Sequence, residues 1–419
     1  LKKQMYEAIK AHAKPFDTVD DLNPLIEEIG DATIVLLGES SHGTSEYYSI
    51  RAELSKKLIE EKGFDFIAVE GDWPACSEVN SYIKSYMEKE SAFQVLEGYK
   101  RWPTWMWANE EIADLVEWLK DYNQKNKSNI GFYGIDVYSL YESIDEIIHY
   151  LRETEPKGAD LELAKKAFTC FEPYNRQEQQ YAIASAFYSG DCVDHVAKLL
   201  ASIRTNEKQY HSKNEQDLNL RMNALAAFDA ENYYRTMVRS DAESWNVRDR
   251  HMVKALNEIR NYYGKDSKVI VWEHNTHVGD ASATDMKEEG MINVGQLVRE
   301  ENNPEDVYVI GFGTNQGTVV AADEWGVNLE RMVVPKAQSG SWENLMHQAG
   351  AYNQYISFKN NREMFQHRIG HRAIGVVYNP AYESYGNYVP SIMGNRYDAF
   401  IYVDKTTALH PITTAEVLL

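Results

Sequence analysis

Four apolar runs constrain the fold most: TIVLLGE (33–39), FDFIAVEG (64–71), NIGFYGID (129–136) and SKVIVWEHN (267–275). Each is short, rich in β-branched residues and apolar on both alternating faces, the pattern of a strand buried on both sides. Helical patterns lie between the first three, at Ser45 to Glu61, about Pro74 to Met87, and Glu110 to Tyr122. Such alternation predicts an α/β protein whose mostly parallel sheet is covered by helices on both faces.

The pattern changes after Asp136. Residues 138–265 hold only Pro156 and Pro173 and no convincing strand. Ile144, Ile147, Ile148 and Leu151 share a helical face, as do Val193, Val196, Leu199, Leu200 and Ile203, and again Met252, Leu256 and Ile259. These residues predict an inserted helical region. Strands resume with VYVIGFGT (307–314), GTVVAAD (317–323), AIGVVYN (373–379) and AFIYVD (399–404). The expected organisation is an α/β core over 1–137, a helical insertion over 138–265, and the second part of the core over 266–419. A smaller α+β portion is expected around 314–370.

Composition narrows the function classes. With 43 basic against 64 acidic side chains the net charge is −21, a field that repels phosphate backbones and excludes a general nucleic-acid binder. No apolar run approaches the roughly 18 residues of a membrane span. The opening LKKQMYEAIKAHAKPF reads as an amphipathic helix ending at Pro15; since residue 1 is not Met, a removed leader is left open. Cys76, Cys170 and Cys192 have unrelated spacings and give neither a disulfide framework nor a zinc knuckle. The expectation is a cytoplasmic protein with a small-molecule substrate and neither a nucleic-acid nor a membrane partner; its oligomeric state is not encoded legibly.

Chemistry gathers at the strand ends. TIVLLGE runs into Glu39 and His42, FDFIAVE ends at Glu70, NIGFYGID at Asp136, and KVIVWEHNTH at His274 and His277. Open parallel sheets bind ligands beyond the carboxyl ends of their strands. His42 is the candidate general base, because imidazole exchanges protons near neutral pH. Glu39, three residues earlier, is placed to orient it, and Gly38 and Gly43 suggest an unusual loop backbone. A loop-capping histidine is the plainer reading. The spacing of His274 and His277 suits two metal ligands or two oxyanion donors, although EHNTH is not the HExxH zinc pattern. Glu70 needs a partner at its depth. Arg51, one turn after Tyr47, either leans over the same edge or belongs to a solvated face. There is no GxSxG elbow and no P-loop, and the glycine-rich 311–319 runs into a strand rather than a helix. Trp73, Trp102, Trp105 and Trp107 are candidates for an apolar wall or for ordinary core.

The segments GESSHGTSEYYSIRAEL, VEGDWP, GFYGIDVYSL, WNVRDRHM, VWEHNTHVGD, GFGTNQGTV and RAIGVVYNP together resemble the erythromycin esterase family, from about residue 30 to the C-terminus. Some proteins of this kind carry the label of succinoglycan biosynthesis. The resemblance implies hydrolysis of a cyclic ester, as in macrolide resistance, by histidine-activated water without a covalent intermediate, a cofactor or a metal. It places His42 as base with Glu39 beside it, and Arg51, Glu70, His274 and His277 in the same site. In that reading Glu39 and Glu70 hold base and water, while Arg51, His274 or His277 stabilise the oxyanion. Two alternatives stay open: a metal-dependent hydrolase using the same cluster, and a non-catalytic binder of a hydrophobic or sugar-bearing ligand.

Overall fold

The apolar runs become strands because their residues are buried on both faces. A computed structural model describes residues 1–187, 190–206 and 215–412. Its strands are β1 (Lys14–Pro15), β2 (Ile34–Leu37), β3 (Phe66–Val69), β4 (Gly131–Gly134), β5 (Val269–Trp272), β6 (Val307–Ala321), β7 (Glu330–Val334), β8 (Gln354–Ser357), β9 (Arg368–Arg372), β10 (Tyr388–Ile392) and β11 (Ala399–Thr406). All but β9 and β10, which form a separate antiparallel pair, belong to a mixed, mostly parallel sheet. The chain divides into two compact units: Leu1–Ile67, Tyr82–Gly131 and Lys268–Leu419 in the first, Ala68–Ser81 and Phe132–Ser267 in the second.

In the first unit the strand order is β1-β8-β11-β6-β2-β5. β6 pairs in parallel with both β2 and β11, and β2 with β5, whereas β8 and β7 run antiparallel at the side. Successive strand residues face opposite ways, so β6 shows what covers each face. Phe312 points to the helix Ser45–Lys62, where Tyr47 meets it edge-on at 5.8 Å. Gly313 points the other way, toward Phe400 and Glu343 of the helix Trp342–Ala349. Helices thus cover both faces.

Two strand expectations change. Residues 307–321 form one continuous strand, because Gly317 lets the backbone of Thr406 lie directly against it, β11 pairs up to that glycine, and β7 pairs from it to Ala321. Residues 373–379 are not a strand. Their amide groups go elsewhere, Ile374 N–H to the Ser40 carbonyl and Tyr378 N–H to that of Ala322, with one isolated bridge between Ala322 and Val377. Their apolar character is explained by a small core in which Ile374 and Tyr378 pack with Val319, Ala321, Met332 and Val334. The opening helix also stops early, at His12, and Pro15 joins β1.

The second unit is chiefly helical. Its helices include Leu140–Thr154, Ala159–Phe171, Val193–Thr205, Gln216–Met237 and Asp241–Tyr263. Ile144, Ile147, Ile148 and Leu151 are buried, as are Val196, Leu199, Leu200 and Ile203. Cys170 and Cys192 are joined in a disulfide, where the spacings gave no disulfide framework, and Cys76 is buried outside any disulfide. Spacing cannot reveal a lone bridge between two helices whose pairing is not yet known. Among the described residues no helix is long and apolar enough to cross a membrane.

The bridge closes a loop with a sequence separation of 22 residues. Replacing both Cys170 and Cys192 by serine is expected to lower stability by about 3 kcal/mol, through the freedom returned to the unfolded chain. Urea unfolding of oxidised wild type against the double variant checks this.

Candidate active site

The loop after β2 is held by backbone on several sides. Gly38 N–H donates to the Ile310 carbonyl, Asn275 N–H to that of Glu39, and both Val320 and Leu409 donate their N–H to the Gly43 carbonyl. Gly38 and Gly43 are needed for close approach and not for a left-handed backbone, since neither has positive φ. A Cβ on Gly38 would overlap the Asn275 side chain, and one on Gly43 the Val320 carbonyl.

Two side chains of this loop and one of the helix Ser45–Lys62 form a line. Glu39 Oε1 lies 2.6 Å from His42 Nδ1, and Glu39 Oε2 accepts from Arg51 Nη2 at 2.6 Å. A carboxylate can only accept, so Nδ1 carries the proton, and in the neutral ring the basic lone pair sits on Nε2. The Tyr48 hydroxyl lies 2.8 Å from the His42 carbonyl oxygen and fixes the backbone from the other side. Arg51 is fully buried, bonds the Tyr47 carbonyl through Nε at 3.2 Å, and lies over the rings of Trp272 and Tyr48 at 4.5 and 5.0 Å. Through Nη2 the guanidinium thus serves Glu39.

His274 is committed as well. Its Nδ1 accepts the Thr276 N–H at 3.1 Å, so Nε2 bears the proton and donates it to the Ile374 carbonyl at 3.0 Å. It caps the turn Asn275–Val278, and its ring centroid is 5.0 Å from that of His42. Both ring nitrogens of His274 are thus hydrogen-bonded within the turn and to the chain at Ile374. His277 is buried, one residue before the end of the same turn.

Glu70 belongs to the second unit. Its carboxylate lies 3.3 Å from Arg248 Nη2, and the same guanidinium holds Asp136 through two bonds, at 2.9 and 2.7 Å. Burial alone would lower the arginine's pKa; the carboxylates overcome this and hold it above its ordinary value. Arg248 lies in WNVRDRHM and was not singled out from sequence, because an arginine on a helix has no local signature.

Three further residues of the first unit were also missed. Asn275 binds the Phe312 backbone, donating to its carbonyl at 2.7 Å and accepting its N–H at 3.3 Å. His371 donates from Nδ1 to Glu343 at 2.5 Å, and its Nε2 lies 3.0 Å from the Tyr397 hydroxyl and 3.3 Å from Asn275 Nδ2. Burial pushes the His371 pKa down despite Glu343, while burial of Glu343 is overcome by His371 and Arg372, which keep it below the usual carboxylate range. Asn275 stands inside EHNTH beside two more conspicuous histidines; Glu343 and His371 have no sequence signal, since only the fold brings them together.

A sequence model of the erythromycin esterase family matches residues 59–406. The chain belongs to the erythromycin esterase family. The matched span contains Glu70, His274 and His277 and begins after Arg51. The chain is 23% identical to erythromycin esterase type II of Escherichia coli over 389 residues, 84% of this chain and 87% of that one. Among solved structures, a Bacillus cereus protein superposes with a TM-score of 0.81 at 20% identity, covering 99% of this chain and all of the other. A succinoglycan biosynthesis protein gives 0.77 at 22% identity, with 98% of each chain covered. At those identities the structures speak for the fold.

Two outcomes are expected. Arg51→Met strands a buried carboxylate and should cost about 3–5 kcal/mol in urea unfolding. His371 titrates lower in the folded than in the unfolded state, where its value is about 6.5. The unfolded state therefore binds the proton first on acidification, and stability falls as pH drops below about 6.5. In His371→Gln the melting temperature should depend less steeply on pH between about 7 and 5.

Proposed function

We propose that the chain is a carboxylic ester hydrolase that opens a lactone or related ester with water activated by His42, without a covalent intermediate. The observation that carries this reading is the line Arg51–Glu39–His42. Arg51 holds Glu39 in place, Glu39 accepts the Nδ1 proton, and Nε2 is the atom assigned as base. It takes a proton from water as the water attacks the ester carbonyl, and returns it to the leaving alkoxide. The serines of the loop are engaged otherwise: Ser40 with the Tyr47 hydroxyl at 2.6 Å, Ser41 with the Gly43 N–H at 2.9 Å. That supports water over a serine nucleophile. Arg51, His274 or His277 is assigned to stabilise the developing oxyanion.

A metal held by Glu39 and His274 is less well supported, because their ligand atoms already carry the bonds described above; Glu273 and His277 keep a metal-dependent hydrolase as the alternative that the chelation arm of the test decides. A macrolactone is the substrate suggested by the name of the Escherichia coli relative, and a part in macrolide resistance follows only if such a ring is opened. The cytoplasmic location expected from composition belongs to this reading too. The Cys170–Cys192 bond would revise it: if alkylation of freshly isolated protein finds two protected cysteines, an oxidising compartment is indicated.

The test incubates the protein with a panel of macrolactones and simple esters and follows the gain of one water by mass spectrometry. His42→Asn should lower kcat by about 10²–10⁴-fold with the circular dichroism spectrum unchanged. Near-wild-type turnover in that variant, a trapped acyl-enzyme, or loss of turnover on exhaustive chelation would each sink the mechanism.

A further inference from the structure

Of the tryptophans between residues 102 and 107, Trp105 and Trp107 are core, 0% and 5% exposed. Trp102 is different. It is half-buried, and its ring meets that of Trp325 with centroids 4.7 Å apart and planes tilted by 58°. Its indole N–H donates to the Val327 carbonyl at 2.8 Å, which fixes the loop that carries Trp325. Trp325 itself is 61% exposed. A tryptophan that is ordered by a neighbour yet left in water gains little for folding, so its cost calls for another use.

Both arms of this pair are tied to the backbone at His42. On one side the Tyr48 hydroxyl sits between the carbonyl oxygens of His42 and Met106, at 2.8 and 2.9 Å, and Met106 is four residues from Trp102. On the other side Val320 N–H donates to the Gly43 carbonyl at 3.0 Å, and Val320 is five residues from Trp325. Four or five residues reach at most about 13–18 Å along the chain. Trp102 and Trp325 are thus each joined, through four or five residues, to the backbone that carries His42.

We propose that Trp102 and Trp325 form the specificity element of the reaction: a pre-ordered aromatic face that holds the bulky apolar part of the ester, away from the bond that is cut. This rests on the hydrolase reading for the place of the bond but not for the binding itself. Indole faces pack against flat apolar surfaces, and a face already held by the Val327 bond loses little freedom when a ligand arrives.

The experiment compares wild type, Trp325→Ala and Trp325→Phe. Calorimetry measures binding of a set of macrolactones, and kinetics gives kcat and KM for the same lactones and for p-nitrophenyl acetate. Trp325→Ala is expected to weaken lactone binding about tenfold and to lower the selectivity for lactone over acetate by about the same factor, through KM and not kcat. Trp325→Phe, which keeps an aromatic face, should recover most of it. The two readings can fail separately. Lactone binding that depends on Trp325 without turnover of any ester supports the aromatic face and removes the hydrolase. Turnover with lactone affinity indifferent to Trp325→Ala removes the aromatic face and keeps the hydrolase. No lactone binding to the wild type overturns the face as well, as does a fall in kcat at constant KM.

Discussion

The buried ion pair between Glu39 and Arg51 is the constraint from which the rest of the site follows. Taking a carboxylate and a guanidinium out of water costs several kcal/mol each, and only close geometry with further bonds offsets it. Here the guanidinium has Glu39 at 2.6 Å, the Tyr47 carbonyl, and two aromatic faces. The pair is thus held to one arrangement, and that arrangement aims the second carboxylate oxygen at His42. Replacing the pair by apolar residues of similar volume would fold comparably well by the same arithmetic. Its presence is better explained by what it does to the imidazole than by stability.

A second set of bonds brings strand ends together behind that loop. Asn275 joins β5 to β6 through the Phe312 backbone, and its own N–H reaches the Glu39 carbonyl. His274 joins the same turn to the chain at Ile374. These residues sit where parallel strands finish and ladder bonding stops, so polar side chains must take over the backbone groups that the sheet no longer satisfies. That physical need and the catalytic one fall at the same sheet edge. It also explains how a histidine with the right spacing for a ligand is instead part of the scaffold.

The sheet was legible because two-sided burial forces continuous apolar runs, and β2, β3, β4 and β5 carry that signature plainly. Residues 373–379 carry it too and are no strand, since burial of Ile374 and Tyr378 against β6 and β7 writes the same apolar pattern without a ladder. The clustering of acids and histidines at strand ends was equally plain, and so was the candidate role of His42. What each neighbour does was not. Whether Arg51 turns to Glu39 or to solvent depends on helix rotation and on Trp272, more than two hundred residues away. The pairing of Glu343 with His371 and of Asp136 with Arg248 depends on contacts of the same long range. Spacing along the chain carries no information on them. Cys170 and Cys192 escaped for that reason as well.

Rigidity is distributed unevenly around His42. The His42 carbonyl is within reach of the Tyr48 hydroxyl, the Gly43 carbonyl takes two backbone N–H groups, and the neighbouring glycines leave no room for a side chain. The role proposed for His42 requires its lone pair to be held within a fraction of an ångström of the reacting water, and a loop held this firmly suits that requirement. The segments that lead away from it end at the half-buried Trp102 and the exposed Trp325. Substitution there alters what can lie on the surface while leaving the Glu39–His42 geometry untouched. On the two readings proposed above, a few buried charges keep the chemistry while the Trp102–Trp325 pair sets the range of esters.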